Sequence, residues 1–538
     1  MRLLHQKIYS YLLLITVLAI SFSSCKKIKD PEEFVPDRVF TPTGVTATGG
    51  ETSASITWKP SLFSAGQGVS YTVEIFNNAT FSGTAAFTAT VDTIGLKVYD
   101  TDLAVRTDYW VRVKANATAN SAASAGWSAT TTSFRMTGEQ LFLSIIDDNL
   151  TDVSVQLRWK ASPDLTKISL KAGSAAAVDY TLSPADLTAA QKTISGLTPS
   201  TNYTAEIFKG TASKGIITFS TKSAVPTGPN VITVGPTDDL ATLLATAPAG
   251  AVFVLAQGSL HKADAEIVLP ANASFTIWGH YGPNRAVLAF NGFRLPTTAG
   301  TIRFENVDFT GYQNNDPAGT KRNYIFNQSA ANTTETIHFE NCIIRNLVNT
   351  PLRLQGSTGQ TINNLNFNKC TAYDIGDNGT NGTYAFVHTN VATGKINNIR
   401  ITNSTLYKIG YSIILHNAAP STSVTITNST FDNTVGNTRY FIDYNTQSAG
   451  SITLTNVIIG KSLSPGATAN GIRSSTAPTV GNSFQVSNTG YVANTIPGIT
   501  TYGGANTDLF TAPATGNFLI KDVNFAGKSS AGDPKWRL

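Results

Sequence analysis

One short phrase returns seven times in the C-terminal half of this 538-residue chain. It limits the possible folds more than any other feature. The phrase is an alternating strand that ends on a polar residue followed by a small one. It runs Ile302-Arg303-Phe304-Glu305-Asn306-Val307, then Ile337–Cys342, Leu365–Cys370, Ile399–Ser404, Val424–Ser429, Ile452–Val457 and Phe484–Thr489. The polar slot holds Asn306, Asn341, Lys369, Asn403, Asn428, Asn456 and Asn488. Its spacing of about 25 to 35 residues lies in the range of solenoid repeats.

Alternation of this kind predicts a strand with one face buried, and the period is too long for an array of hairpins. A second strand follows in each unit: Tyr324–Phe326, Pro351–Leu354, Tyr384–His388, Tyr411–Leu415 and Tyr440–Tyr444. Stacked units set each strand parallel to its counterpart one coil away, and the polar slot becomes an asparagine ladder at a turn. The predicted architecture is a parallel β-helix. In the second strand, alternation points Arg353 outward in a slot shared with Asn327, Val387, Ile414 and Asp443. It points His388 inward with Phe386, and His416 outward after Leu415. Tyr324, Tyr384, Tyr411 and Tyr440 read as a packed ring ladder of the core.

With 41% hydrophobic and 14% charged residues and a formal charge of +5, the chain is long enough for several domains. Its basic residues are dispersed, which leaves nucleic-acid binding without an electrostatic footprint. The N-terminus carries Arg2 and Lys7, an apolar run from Ile8 to Ile20, then Ser21-Phe22-Ser23-Ser24-Cys25, an export signal rather than a spanning helix. The residues before Cys25 resemble the lipobox of Bacteroidota lipoproteins. That resemblance implies lipidation of Cys25, an outer-membrane lipid anchor and cell-surface residence signalled by the acidic tether that follows. Cys342 and Cys370 follow the ladder slot in successive coils and are expected as free buried thiols; no Cys/His spacing suits zinc.

From about residue 41 the chain shows short strands parted by turn residues, including Ser55–Trp58, Tyr71–Ile75 and Tyr109–Val113, the pattern of a β-sandwich. Trp58 and the Leu103, Thr107, Tyr109 series resemble the core tryptophan and tyrosine corner of fibronectin type III modules. Trp159 and Leu197 through Tyr203 repeat the resemblance. The predicted organisation is a signal peptide over 1–24, a tether over 25–40, fibronectin type III-like domains over 41–138 and 139–223, and a β-helix with an N-terminal cap over 230–538. The fold class expected is all-β.

The stretch from Val231 to Ile277, with a short helix near Asp239–Leu244, resembles the cap and first coil of the pectin-lyase-like superfamily, which implies a right-handed solenoid. The tail from Phe518 to Trp536 resembles Bacteroidota lipoproteins associated with polysaccharide utilisation. The resemblance implies polysaccharide binding as part of glycan capture, with other utilisation proteins as partners. Two alternatives stay open: a lyase acting on an acidic polysaccharide, and a structural adhesin. β-Elimination needs a cation for the uronate carboxylate and a base for the α proton. The candidates for that chemistry are Arg353, Lys321, Arg322 and His416, and those for sugar contact are Arg345, Arg353 and Asp443. Asp374 and Asp377, in the Gly-rich run Asp374–Asn381, are the candidate calcium ligands, since calcium requires clustered oxygens.

Overall fold

The computed structural model describes residues 36–376, 382–463 and 468–538. Cys25, the segment before it and Asp377 lie outside the described residues.

Two antiparallel sandwiches come first in the chain. In one, Thr43–Gly49, Ser53–Lys59 and Gly95–Tyr99 form a three-stranded sheet; Phe87–Val91, Tyr71–Phe76, Trp110–Ala115 and Ser128–Ala129 form a four-stranded sheet, each in that order. Alternation sends Ile56, Trp58, Tyr71, Val73, Val111 and Val113 inward, and the Trp58 ring meets Tyr71 edge-on at 5.5 Å. In the other, Ser154–Arg158 pairs with Gln191–Ser195, while Val178–Thr181, Lys167–Ala172, Asn202–Lys209 and Ala212–Ser220 form a four-stranded sheet. Trp159, Leu197 and Tyr203 are buried, as are Leu103 and Tyr109 of the first sandwich. Strand order and core residues make both modules fibronectin type III-like.

From Val231 the chain winds into a parallel β-helix of three sheets. Among the described residues these sheets contain ten, ten and nine strands, each paired with its counterpart one coil away. The first sheet holds the repeated phrase, with Ile302, Ile337, Leu365, Ile399, Val424 and Ile452 in one inward row. Beside them Phe304, Phe339 and Phe367 stack at 5.1 and 4.9 Å. Each strand then turns through a residue of positive φ: Asn306 (55°), Asn341 (50°), Lys369 (54°), Asn403 (50°), Asn428 (49°), Asn456 (57°) and Asn482 (45°). Asn tolerates this left-handed conformation better than most residues. Its side chain also links coils: Asn341 Nδ2 donates to Asn306 Oδ1 at 2.7 Å, Asn456 Nδ2 to Asn428 Oδ1 at 2.9 Å and Asn482 Nδ2 to Asn456 Oδ1 at 2.7 Å.

The seventh rung is therefore Asn482 and not Asn488. Phe484–Val486 belongs to the second sheet, where it pairs with Ile458–Ile459, and the first-sheet strand of that coil is Thr479–Gly481. The real strand is short and without a buried face, whereas Phe484-Gln485-Val486 imitates the expected alternation. The slot after the ladder wants a small side chain, and Ser483 fills it: its hydroxyl accepts from Val457 N at 3.1 Å, as Ser404 Oγ accepts from Cys370 N at 3.0 Å. Cys342 and Cys370 are free and buried. Their thiols face the Phe304 and Phe339 carbonyls at 3.5 and 3.4 Å.

The solenoid has a cap at its N-terminal end and a returning segment at the other. The helix Leu240–Ala245, whose first turn is capped by Asp239 accepting from Ala241 N and Thr242 N, sends Leu240 and Leu244 into the solenoid core. At the other end the chain doubles back over the outer face of the second sheet. There Leu509, Phe510, Phe518 and Phe525 pack with Tyr407, Ile458 and Phe484. Asp533 Oδ2 accepts from Thr405 Oγ1 at 2.6 Å, and Trp536 Nε1 donates to the same hydroxyl at 2.8 Å.

Candidate functional site

The third sheet stacks Tyr324–Gln328, Thr350–Leu354, Val387–Thr389, Ile414–His416, Tyr440–Asp443 and Ala469–Arg473. Its inward row is Phe326, Leu352, Val387, Ile414, Ile442 and Ile472; its outward row is Asn327, Arg353, His388, Leu415, Asp443 and Arg473. This register corrects the sequence-based one in two coils. Phe386 and Val387, like Ile413 and Ile414, are consecutive buried residues, the first of each pair closing the turn before the strand. A slip of one residue exchanges the faces of everything after it. His388 thus stands in the outward row between Arg353 and Leu415. His416, expected to point outward, faces the core, where Nε2 accepts from Ile396 N at 3.0 Å and Nδ1 meets the Ala419 carbonyl at 2.7 Å.

Tyr324, Tyr384, Tyr411 and Tyr440 are not core residues. They are half-buried, because the two residues that follow each of them, such as Ile325 and Phe326 or Phe441 and Ile442, fill the interior. The rings and the outward row make one continuous strip. Tyr324 and Tyr384 meet edge-on at 5.9 Å. Arg353 lies 5.0 Å from the centre of the Tyr384 ring and 5.9 Å from that of Tyr324, and its Nη1 donates to the Tyr324 hydroxyl at 3.2 Å. His388 packs between Tyr384 at 4.7 Å and Tyr411 at 6.3 Å. Arg439 stacks on Tyr411 at 4.3 Å and Arg473 on Tyr440 at 4.1 Å. The buried carboxylate of Asp443 accepts from Nε and Nη2 of Arg473, both at 2.8 Å.

Three guanidiniums against one carboxylate give this strip a positive field. His388 adds no charge near neutral pH: burial, reinforced by the Arg353 cation, pushes its pKa down to about 4. Nδ1 of His388 accepts from Ala385 N at 3.2 Å, so the neutral ring carries its hydrogen on Nε2. The Tyr384 hydroxyl is held above its ordinary range, first by its hydrogen bond with Tyr324 and then by burial, against the pull of Arg353. The Asp443 hydrogen bonds raise the Arg473 guanidinium further. Among the described residues no carboxylate forms an ion pair with Arg353 or Arg439. The Nε of each is buried without a hydrogen-bond partner, as is Oδ1 of Asn327. Unpaired buried polar atoms are costly, and here they edge a surface of half-exposed rings. Such a surface offers ring faces and the guanidinium N–H groups other than the buried Nε.

The other candidates are held elsewhere. Arg345 is locked on the second sheet by Asp308, with Nε at 2.9 Å from Oδ1 and Nη2 at 3.0 Å from Oδ2. Arg322 pairs with Asp264 at 2.5 Å, and Lys321 lies over the Tyr312 ring at 5.2 Å. Asp374 is not in a projecting loop: it sits inside the strand Thr371–Ile375 at φ 55°, with Lys408 3.9 Å away. Among the described residues no three acidic, histidine or cysteine side chains cluster as a metal would require. Asp377, the other candidate ligand, lies outside the described residues. Arg473 carries no expectation from the sequence, and the four tyrosines read there as core rings. The signal was there, since Ile472-Arg473 repeats Ile442-Asp443 one coil later.

Two family models match within the solenoid: DUF4957, a domain of unknown function, over residues 261–409, and DUF5123, a domain of unknown function, over residues 424–536. Tyr324, Arg353, Tyr384 and His388 fall in the first match, and Arg439, Tyr440, Asp443 and Arg473 in the second. No curated protein matches the chain. Among solved structures, the FN1–FN3 domains of chicken CNTN1 are 18% identical over 35% of this chain and 69% of theirs, at a TM-score of 0.17. A two-domain fibronectin type III segment of chicken tenascin is 16% identical over 34% of this chain and 99% of its own, also at 0.17. Among the described residues no helix is long and apolar enough to cross a membrane.

Proposed function

We propose that this protein binds a polysaccharide along the outer face of the third solenoid sheet, as a lipid-anchored component of glycan capture at the surface of a Bacteroidota cell. The observation that carries the reading is the strip of Tyr324, Tyr384, Tyr411 and Tyr440 interleaved with Arg353, Arg439 and Arg473. Half-exposed rings backed by guanidiniums suit an extended polar ligand. The anchor is Cys25, the two sandwiches act as spacers, and other polysaccharide-utilisation proteins are the partners. Native electrophoresis in gels containing dissolved polysaccharides tests the reading. Retardation by at least one polymer, lost on joint Tyr384→Ala and Tyr411→Ala substitution, supports it; migration unchanged across neutral and acidic polymers sinks it. A mass shift of a diacylglycerol and acyl group, absent from Cys25→Ala, checks the anchor.

A second reading, β-elimination on an acidic polysaccharide, is favoured by Arg353, Tyr384 and His388 standing together. Arg353 would face the uronate carboxylate. The tyrosine hydroxyl is a poor base while its pKa stays raised, so this reading predicts activity that climbs with pH. Growth of ultraviolet absorbance from unsaturated uronates, lost in Arg353→Ala, would establish it.

A further inference from the structure

Three exposed apolar side chains gather where the chain enters the first sandwich. Phe40, Leu62 and Phe63 are 40%, 66% and 59% exposed, and the Phe40 and Phe63 rings lie 5.8 Å apart. We infer that this patch rests in the surface of the bilayer that holds the lipid anchor, so that the first of the two spacers lies against the membrane. The inference rests on the Cys25 anchor of the reading above and goes beyond it.

The entry is fixed by hydrogen bonds. Val39 N donates to the Ala122 carbonyl and Ala122 N to the Asp37 carbonyl, both at 2.8 Å. Val39 is buried, which turns Arg38 and Phe40 outward together. Leu62 and Phe63 come from the loop 60–70, between the strands Ser53–Lys59 and Tyr71–Phe76. Ser64 Oγ donates to the Ser61 carbonyl at 2.6 Å and Gln67 Nε2 to the Phe63 carbonyl at 3.1 Å, which gives the loop a defined form. Phe63 sits at φ 55°, a conformation that bulky residues rarely adopt and that costs free energy. Its ring lies outside the sandwich core, so internal packing does not account for a large apolar side chain at that place. Exposed apolar clusters of this kind mark surfaces that meet a protein or a membrane.

Charge and distance decide the occupant. The loops 60–70 and 116–127, which flank the entry, hold no charged residue. A tip of uncharged polar residues carrying Leu and Phe enters the headgroup layer without desolvating a charge. Arg38, exposed on the Phe40 side, suits the lipid phosphates. Ten residues, 26–35, separate Cys25 from Pro36, and a chain of that length spans at most about 40 Å. An acylated Cys25 therefore keeps Phe40 beside the bilayer, where the tether sets a millimolar effective concentration. Three apolar side chains suffice at such a concentration, although they would not hold an untethered protein on a membrane.

Fluorescence quenching of the full lipidated chain in phosphatidylcholine and phosphatidylglycerol vesicles tests this. Cys342 and Cys370 are buried, so a Leu62→Cys chain takes a nitrobenzoxadiazole label at one exposed position. A Glu51→Cys chain, labelled beyond the far end of the strand Thr43–Gly49, is the control. Lipids carrying a nitroxide near the headgroup should quench the label at 62 by about half or more and leave that at 51 bright. Joint Phe40→Ser and Phe63→Ser substitution should abolish the quenching while the chain still floats with the vesicles and melts with the parent. A label at 62 as bright as that at 51, on chains that float, overturns the contact and leaves the anchor standing. Emission at 62 that ignores the nitroxide and changes only with protein concentration assigns the patch to a second copy of the chain and likewise overturns the contact. Chains that carry no acyl mass and do not float fell the anchor and the contact together.

Discussion

Replacing Asp432 by Asn should stabilise the solenoid at neutral pH and leave it unchanged in acid. Asp432 is 1% exposed. Its Oδ1 accepts from Lys461 N at 3.1 Å and from Asn506 Nδ2 at 2.9 Å, next to a cavity of about 130 Å³ lined by Lys408, Asn433, Asn506 and Pro513. Burial raises its pKa to about 6, about two units above an ordinary aspartate, which corresponds to about 3 kcal/mol. Because the folded state holds the proton more tightly, this contribution is full below about pH 4. It is lost as pH rises through about 6, and above that the folded state bears the cost of a buried charge. Asn keeps the acceptor oxygen and has no charge, so it mimics the protonated acid. For a solenoid of roughly 300 residues, an unfolding entropy of about 2.1 cal/mol/K per residue converts 3 kcal/mol into a shift of about 5 °C. Scanning calorimetry at pH 4 and pH 7.5 should find the Asp432→Asn transition level with the parent at the lower pH and up to that amount higher at the upper. A variant that melts below the parent at pH 7.5, or a gap of equal size at both values, would refute the assignment of an unfavourable buried charge.

Two further outcomes follow from the interior. Phe339→Ala removes the middle ring of the Phe304, Phe339, Phe367 stack and should cost about 3 to 5 kcal/mol, visible as a lowered solenoid transition with the sandwich transitions unmoved. At Asn456, where φ is 57° and the amide both donates to Asn428 and accepts from Asn482, Val should destabilise more than Gly. Gly loses the two amide bonds but fits the backbone, whereas Val loses the bonds and strains the turn as well; denaturant melts of the pair give the order.

The solenoid was legible because its repeat is long, regular and chemically strict at one slot: Asn, content at positive φ, recurs at Asn306, Asn341 and their successors, with Lys369 the exception. The sandwich tryptophans were legible for a similar reason, since alternation about Trp58 and Trp159 leaves a single inward face. The site was harder. Third-sheet strands are only two to five residues long among the described coils, too short for alternation to fix phase by itself. The turn before Val387 and before Ile414 places one extra buried residue in the coil, which reverses the faces of His388 and His416. The outward tyrosines were hidden by the same fact, because a ring ahead of two buried residues looks like the start of a core ladder. Arg345 shows the converse limit: nothing in its own strand reveals that Asp308, one coil earlier, holds it.

A stack whose coils touch only their neighbours would ordinarily fray from its ends, one repeat at a time. The returning C-terminal segment changes that here. Through Asp533 and Trp536 it fastens to Thr405, 128 and 131 residues earlier in the chain, and through Phe518 it packs against Tyr407. The last coil cannot peel away without also breaking ties to coils well inside the stack. Loss of order at this end is thereby made a single, many-coil event, and the closing half of the tyrosine and arginine strip, from Tyr411 to Arg473, lies on the coils so bound together.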